Sequence, residues 1–126
     1  MRIIVCGGRD FSDQTALTRA LDRLAKKHVI DAVIEGNASG ADRMAGFWAR
    51  KRGIPNLKFN AEWKLYGKAA GPIRNQKMID EGNPDGVVAF PGRNGTASMI
   101  DLAQKAGIPV WEPLRTMSAS PNAGTP

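Results

Sequence analysis

A chain of 126 residues with 42% hydrophobic and 24% charged residues is long enough to bury the core of one globular domain. A single cysteine, Cys6, excludes a disulfide framework, and one cysteine with one histidine excludes a Cys/His metal cluster. Neither a metal nor a cofactor is expected. The net charge of +6 and the pI of about 9.9 favour an anionic partner, although basic clusters at helix ends also explain them. The apolar runs are too short to span a membrane and none resembles a signal peptide, so a cytoplasmic protein without a membrane partner is expected.

The first predicted unit is a strand, a glycine turn and a helix. Arg2 to Cys6 is a β-branched run that predicts a buried strand, and Gly7-Gly8-Arg9-Asp10 predicts the turn that ends it. Ser12 or Asp13 is suited to cap the helix that follows. That helix is expected to end near His28, which we interpret as a C-terminal capping residue.

The second unit repeats this order. Ala32 to Glu35 predicts a strand, and a second glycine-bearing loop covers residues 36–40. Ser39 is suited to cap the helix that begins at Ala41. Phe47 lies off the apolar stripe of this helix, so either a neighbouring element or another subunit covers it, and a homodimer or higher homo-oligomer is one alternative.

The middle of the chain has the least regular pattern. Asn56 to Phe59 predicts a weak third strand, residues 60–72 predict an irregular loop, and Ile73 to Glu81 predicts a short helix. A long loop in a compact domain is often functional. Two of its aromatic residues, Trp63 and Tyr66, are candidates for stacking on a base, although Trp63 could instead anchor the loop to the sheet.

The last unit contains the most distinctive loop. A fourth strand ends at Phe90, the loop Pro91-Gly92-Arg93-Asn94-Gly95-Thr96 follows, and a helix is expected from Ala97 to Ala106. Residues 107–111 predict a C-cap and a fifth strand. The domain is expected to cover residues 1–112, and residues 113–126 have too little apolar surface to pack, which predicts a disordered tail.

The alternation of strands and helices predicts an α/β domain with a mainly parallel, five-stranded sheet. Parallel strands end at one edge of the sheet, where ligands bind at the switch point. The three glycine-bearing loops should therefore meet there and form a nucleotide-type pocket. Glycines allow close approach to an anion, and a helix N-terminus offers unpaired N–H groups.

Four spaced motifs follow one another along the chain, namely Gly7-Gly8-Arg9-Asp10-Phe11, Glu35-Gly36-Asn37-Ala38-Ser39-Gly40-Ala41-Asp42, Ala70-Gly71-Pro72-Ile73-Arg74-Asn75-Gln76-Lys77-Met78 and Pro91-Gly92-Arg93-Asn94-Gly95-Thr96. Together they resemble the YspA/YpsA-related branch of the SLOG superfamily. The resemblance covers about residues 1–112. It implies a Rossmann-like, three-layer α/β domain that binds a nucleotide or a nucleotide-derived molecule, in bacteria or phages.

The same superfamily includes the Lonely Guy phosphoribohydrolases, which cleave N-glycosidic bonds of nucleoside monophosphates. Their signature ends in a glutamate, and Met99 occupies the corresponding position here. A thioether neither ionises nor accepts a proton, so the resemblance favours a binding module over an enzyme. If the protein is an enzyme, Arg74 is expected to act with a carboxylate from another loop, with Glu35 preferred and Asp10 or Asp42 as alternatives.

The predicted ligand-binding residues are therefore drawn from the loops and from the segment around Arg74. Thr96 either donates its hydroxyl to a phosphate or caps its helix, and Asp42 either binds ribose hydroxyls or lies in the first helical turn for electrostatic reasons. The full set is Gly8, Arg9, Gly36, Ser39, Gly40, Asp42, Arg74, Gly92, Arg93, Asn94, Gly95 and Thr96.

The predicted function is that of a sensor or sequestering module for such a ligand. Hydrolysis of an N-glycosidic bond is the alternative, and single-stranded DNA binding, as in the superfamily member DprA, is a third. Nucleic acid is the less favoured partner because the basic residues form no continuous stripe interleaved with aromatic residues.

Overall fold

The computed structural model describes residues 1–115, in which strands and helices alternate along the chain. Their bounds are β1 (Arg2–Cys6), α1 (Gln14–Lys27), β2 (Ala32–Glu35), α2 (Ala41–Lys51), β3 (Asn56–Lys58), α3 (Trp63–Tyr66), a 3-10 turn (Gly67–Ala69), α4 (Ala70–Gly82), β4 (Gly86–Ala89), α5 (Asn94–Lys105) and β5 (Val110–Trp111). Leu114 packs against the core, and the rest of the predicted tail, residues 116–126, lies outside the described residues.

The five strands form one sheet in the order β3-β2-β1-β4-β5, and all four neighbouring pairs are parallel. The chain moves outward from β1 to β3 and then returns to β4 on the other side of β1. The switch point is thus between β1 and β4, as in Rossmann-type sheets. The predicted Rossmann-like α/β fold is confirmed.

Side chains along β1 alternate between two cores because successive residues of a strand point to opposite faces. Ile3 and Val5 pack with residues of α1 and α2, whereas Ile4 and Cys6 pack with residues of α4 and α5. All four are buried. This gives the predicted three layers, with helices on both faces of the sheet.

The helix α1 follows its sequence pattern closely. Asp13 is its N-cap, and its carboxylate accepts a hydrogen bond from the backbone N–H of Ala16 at 3.0 Å. Its buried stripe contains Leu17, Leu21 and Leu24. His28 is the C-cap residue, and its backbone N–H donates to the Leu24 carbonyl at 3.0 Å.

The prediction of an irregular segment over residues 60–72 is wrong for most of its length. Trp63 to Tyr66 form α3, and α4 begins at Ala70, three residues before the predicted start. Pro72 does not prevent this, because it lies in the first turn of α4, where a backbone N–H has no intrahelical acceptor. Within residues 1–115, no helix has the length and apolar character needed to cross a membrane.

Two of the predicted helix caps are also wrong. Gly40, with a φ of 80°, is the N-cap of α2 in place of Ser39, and Arg93 is the N-cap of α5, so that Thr96 lies within the first turn. Phe47 is 46% exposed, which contradicts burial under a neighbouring element; the Lys51 ammonium of the same helix lies 5.4 Å from its ring.

Candidate functional site

A cavity of about 750 Å³ opens where β1, β2 and β4 end, at the switch point of the sheet. Its walls come from the turn after β1, the loop after β2, the start of α5 and the inner face of α4. Its volume is typical of sites for small molecules. The loops that follow β1, β2 and β4 thus meet as the sequence predicts.

The turns after β1 and β4 interlock through glycines. The backbone N–H of Gly8 donates to the Pro91 carbonyl at 2.8 Å. A Cβ at Gly8 would lie 3.0 Å from the same carbonyl, and a Cβ at Gly92 would lie 2.8 Å from the Gly8 nitrogen and would overlap the Thr96 hydroxyl. Side chains larger than hydrogen would therefore force these two turns apart.

The start of α5 presents donors to the cavity. Arg93 makes no side-chain capping hydrogen bond, so the first N–H groups of this helix are left for another acceptor. The Thr96 side chain lines the cavity and the residue is 7% exposed, and among residues 1–115 its hydroxyl has no hydrogen-bond partner. A helix N-terminus of this kind favours an anion.

Arg74, on α4, is held in place by the loop after β2 and by its neighbour Asn75. Its Nη1 donates to the Gly36 carbonyl at 2.7 Å, and its Nε donates to the Asn75 side chain at 2.9 Å. The Asn75 amide donates in turn to the Gly95 carbonyl of α5 at 3.2 Å. Burial lowers the pKa of the Arg74 guanidinium, while the nearby Asp42 carboxylate opposes that change. In the part of the chain that the structure describes, Nη2 has no hydrogen-bond partner and is available to a ligand.

Asp42, in the first turn of α2, supplies a buried carboxyl group to the same cavity. It is 6% exposed, and it accepts a hydrogen bond from the Ala38 N–H at 3.2 Å. Burial raises the pKa of this carboxyl group to about 6, against the opposing influence of the Ala38 hydrogen bond and of Arg74. The side chains of Asp42 and Arg74 lie directly against Gly36. A Cβ added to Gly36 would lie 2.9 Å from the Asp42 Oδ2 and would overlap the Arg74 guanidinium.

Trp63 and Arg9 cover the mouth of the cavity together. The Arg9 guanidinium lies 5.3 Å from the centre of the Trp63 ring, and both residues are exposed. Because Trp63 contacts Arg9 and lines the cavity, it remains a candidate for stacking on a base.

Several predicted residues do not line this cavity. Glu35 is completely buried beneath α2, where its two oxygens accept from the Asn37 N–H at 2.5 Å and from the Asn56 amide at 3.1 Å. Glu35 was the preferred carboxylate partner of Arg74 if the protein is an enzyme, and its burial away from the cavity contradicts that role. The others outside the cavity are Ser39, Gly40, Asn94 and Tyr66.

The structure also brings in residues that were not predicted. Phe11 and Asn75 line the cavity, and Asn75 is 5% exposed. Asn75 directly follows Arg74 in the sequence, and this position is the signal that could have identified it as a site residue. Cys6 lines the cavity, and burial raises the pKa of its thiol well above its usual range, which disfavours the reactive thiolate. Met99 is 1% exposed and packs in the core between the sheet and α4 and α5, so it presents no reactive group to the cavity.

The fold and the cavity define a Rossmann-like domain with a pocket at the switch point of its sheet. A sequence model of the "YspA, cpYpsA-related SLOG family" matches residues 1–66. A curated relative, the Gene 61 protein of Mycobacterium phage D29, is 41% identical over 118 residues, which cover 86% of this chain and 93% of the relative. The chain therefore belongs to the YspA, cpYpsA-related SLOG family, and this membership indicates a role in binding or modifying nucleotide-related molecules.

A solved structure with a similar arrangement is the glycinamide ribonucleotide transformylase 1 from Symbiobacterium toebii. The sequences are 18% identical, the TM-score is 0.49, and the match covers 81% of this chain. This chain spans about half of that protein's length, with 47% of it covered.

Proposed function

We propose that this protein binds a nucleotide or a nucleotide-derived small molecule, with a phosphoryl group seated between the turns after β1 and β4 and the start of α5. One observation carries the proposal. The glycines of these turns interlock beside the first turn of α5, and the Thr96 hydroxyl faces the cavity without a partner among the described residues. Arg74 adds a positioned cation with a free Nη2.

The arrangement also supports the choice of an anion over a neutral ligand. The Thr96 hydroxyl lines the cavity and has no protein partner among residues 1–115, so a phosphoryl oxygen can accept a hydrogen bond from it without breaking one within the protein. Arg74 is already fixed by Gly36 and Asn75, so less side-chain entropy is lost when it binds.

Thr96→Val tests this proposal. Valine has nearly the shape of threonine, and the hydroxyl that it removes has no partner in residues 1–115, so the free protein should keep its melting temperature. A hydrogen bond to a charged group contributes roughly 1.5–3 kcal/mol, so the affinity for AMP, measured by calorimetry, should fall about tenfold or more. Thr18→Val on α1, away from the cavity, is the matched control and should leave the affinity unchanged.

The first measurement in this series is a thermal-shift screen of the wild-type protein with nucleoside mono- and diphosphates, cyclic nucleotides and ADP-ribose. Binding to the folded state raises the melting temperature. No shift with any of these compounds would contradict the proposed function, as would equal affinities of the Thr96→Val and wild-type proteins.

Cleavage of an N-glycosidic bond is the second candidate function, and it is favoured by Asp42 alone. This buried carboxyl group lies in the cavity beside Arg74, and a pKa of about 6 suits proton transfer near neutral pH. Release of free base from nucleoside monophosphates that disappears in Asp42→Asn would support this candidate. Release that persists in that variant would point to a contaminating enzyme.

A further inference from the structure

A smaller cavity of about 280 Å³ adjoins the first one on the side of the loop after β2. The two share part of their walls, namely Arg9, Gly36, Ala38, Trp63 and Arg74. The smaller cavity, which we call the second lobe, is completed by Asn37, Ser39, Arg43, Asn60 and Ala61. A ligand seated in the main cavity can therefore extend past Trp63 into the second lobe.

The second lobe is rich in guanidinium groups. Arg9, Arg43 and Arg74 all line it, and none of the three forms an ion pair with a carboxylate among residues 1–115. Arg9 also contributes to lowering the pKa of Arg74, because the two cations repel each other. None of the residues that line the second lobe is acidic, although the Asp42 carboxyl group of the main cavity lies near Arg74. The three cations of the second lobe therefore favour an anionic group between them, and guanidinium groups suit phosphoryl oxygens in particular.

The floor of the second lobe is fixed by hydrogen bonds. Asn37 has a left-handed backbone, with a φ of 56°, and its N–H donates to the buried Glu35 carboxylate at 2.5 Å. Its side-chain amide donates to Asn60 at 2.8 Å, which joins the loop after β2 to the segment after β3. Glu35, which does not reach the main cavity, thus holds the loop that shapes the second lobe.

We propose that the ligand carries at least two phosphoryl groups and spans both lobes. One phosphoryl group is bound by the glycine turns and α5, and the other is bound by Arg9 and Arg43 in the second lobe, with Arg74 lining both lobes between them. The ligand class is then a nucleotide with linked phosphoryl groups, such as a pyrophosphate-linked nucleotide, and not a nucleoside monophosphate. This inference rests on the proposed function and names the ligand class of the same site.

The test compares ADP-ribose with AMP by calorimetry at one fixed ionic strength, using the full chain and the variant Arg43→Gln. Arg43 lies outside the main cavity and is exposed, so its replacement should not disturb the fold. Arg19→Gln, an exposed position on α1, changes the net charge by the same amount and is the matched control. We expect ADP-ribose to bind at least about tenfold more tightly than AMP, and Arg43→Gln to remove about tenfold from ADP-ribose affinity while AMP affinity changes less than twofold.

The outcomes separate this inference from the proposed function. Equal affinities for the two compounds, or an equal loss for both in Arg43→Gln, would overturn the second lobe as a phosphoryl site and leave nucleotide binding intact. Binding of neither compound would overturn this inference, and it would overturn the proposed function as well if no nucleotide of the thermal-shift screen binds. Tighter binding of an oligo-deoxynucleotide than of ADP-ribose, with an affinity that falls steeply with salt, would overturn the small-molecule ligand in favour of single-stranded DNA.

Discussion

Asp42→Asn should make the protein more stable at neutral pH. The carboxyl group has a pKa of about 6 in the folded protein, compared with an ordinary value of 3.8, because it is buried. The folded chain therefore holds this proton more tightly than the unfolded chain does. The associated stability is fully present below about pH 4, and it is lost as the pH rises through about 6, where the buried group ionises.

The size of the effect follows from the change in pKa. The two pKa values differ by about two units, and each unit corresponds to about 1.36 kcal/mol, so ionised Asp42 costs up to about 3 kcal/mol of unfolding free energy. Asparagine is uncharged and keeps an oxygen that can accept the hydrogen bond from Ala38. The variant should gain most of this free energy near pH 7.5.

Urea denaturation of both proteins at about pH 7.5 and about pH 4 measures this gain. Other carboxylates titrate in the same range, but they contribute equally to both proteins and cancel in the difference. We expect the variant to be more stable at the higher pH and the difference to shrink towards zero at the lower pH. A difference independent of pH, or a less stable variant at pH 7.5, would refute the reasoning.

Asp10→Asn is the matched control for this measurement. Asp10 lines the same cavity, but it is exposed, and substitutions at exposed positions usually change stability by less than about 0.5 kcal/mol. A stability gain in Asp42→Asn and not in Asp10→Asn would locate the effect in burial and not in the total negative charge near the cavity.

Two further predictions concern residues at the base of the cavity. Gly8→Ala places a methyl group 3.0 Å from the Pro91 carbonyl and should force the two turns apart. The variant should lose about 1–3 kcal/mol of unfolding free energy, measured by urea denaturation, and should bind nucleotides more weakly. An unchanged unfolding free energy would contradict the close approach of the turns. Cys6 should react with a thiol reagent near pH 8 far more slowly in the folded protein than in urea, because burial disfavours its thiolate; equal rates would show that the thiol is accessible.

The strands and the helices α1, α2 and α5 could be predicted because the spacing of their apolar residues along the sequence follows which residues are buried. Residues 2–6 and 32–35 are apolar runs closed by glycines, and both form buried strands. The region before Arg74 could not be predicted in the same way. The short helix α3 buries no residue, so it leaves no periodic apolar signal, and Gly71-Pro72 are typical of a turn although they lie in the first turn of α4.

The meeting of the three loops could be predicted from the sheet topology, but the direction of individual side chains could not. Glu35 shows the difference. It follows Ile34 by one residue and therefore points to the same face as Val33, beneath α2 and away from the cavity. Gly46 of α2 makes room for it, since a Cβ there would lie 2.8 Å from the Glu35 Oε2. The alternation of side chains along β2 could have indicated this placement, but the position of Glu35 directly before the glycine-bearing loop suggested a role in the site.

The chemistry available in the cavity depends on which element supplies its acidic side chain. In this chain α5 presents no carboxylate to the cavity, because Met99 is turned into the core, and the lining residues at its start are Arg93, Gly95 and Thr96. The one buried carboxyl group among the described lining residues is Asp42, which comes from α2. Because ionised Asp42 costs the folded protein stability, its presence beside Arg74 is more readily understood as a functional compromise than as a structural contribution. Two roles are compatible with that position, namely a hydrogen bond to a hydroxyl group of a sugar and proton transfer to the ligand. In either role Asp42 would act on the ligand whose phosphoryl group we propose to be held by α5 and the glycine turns.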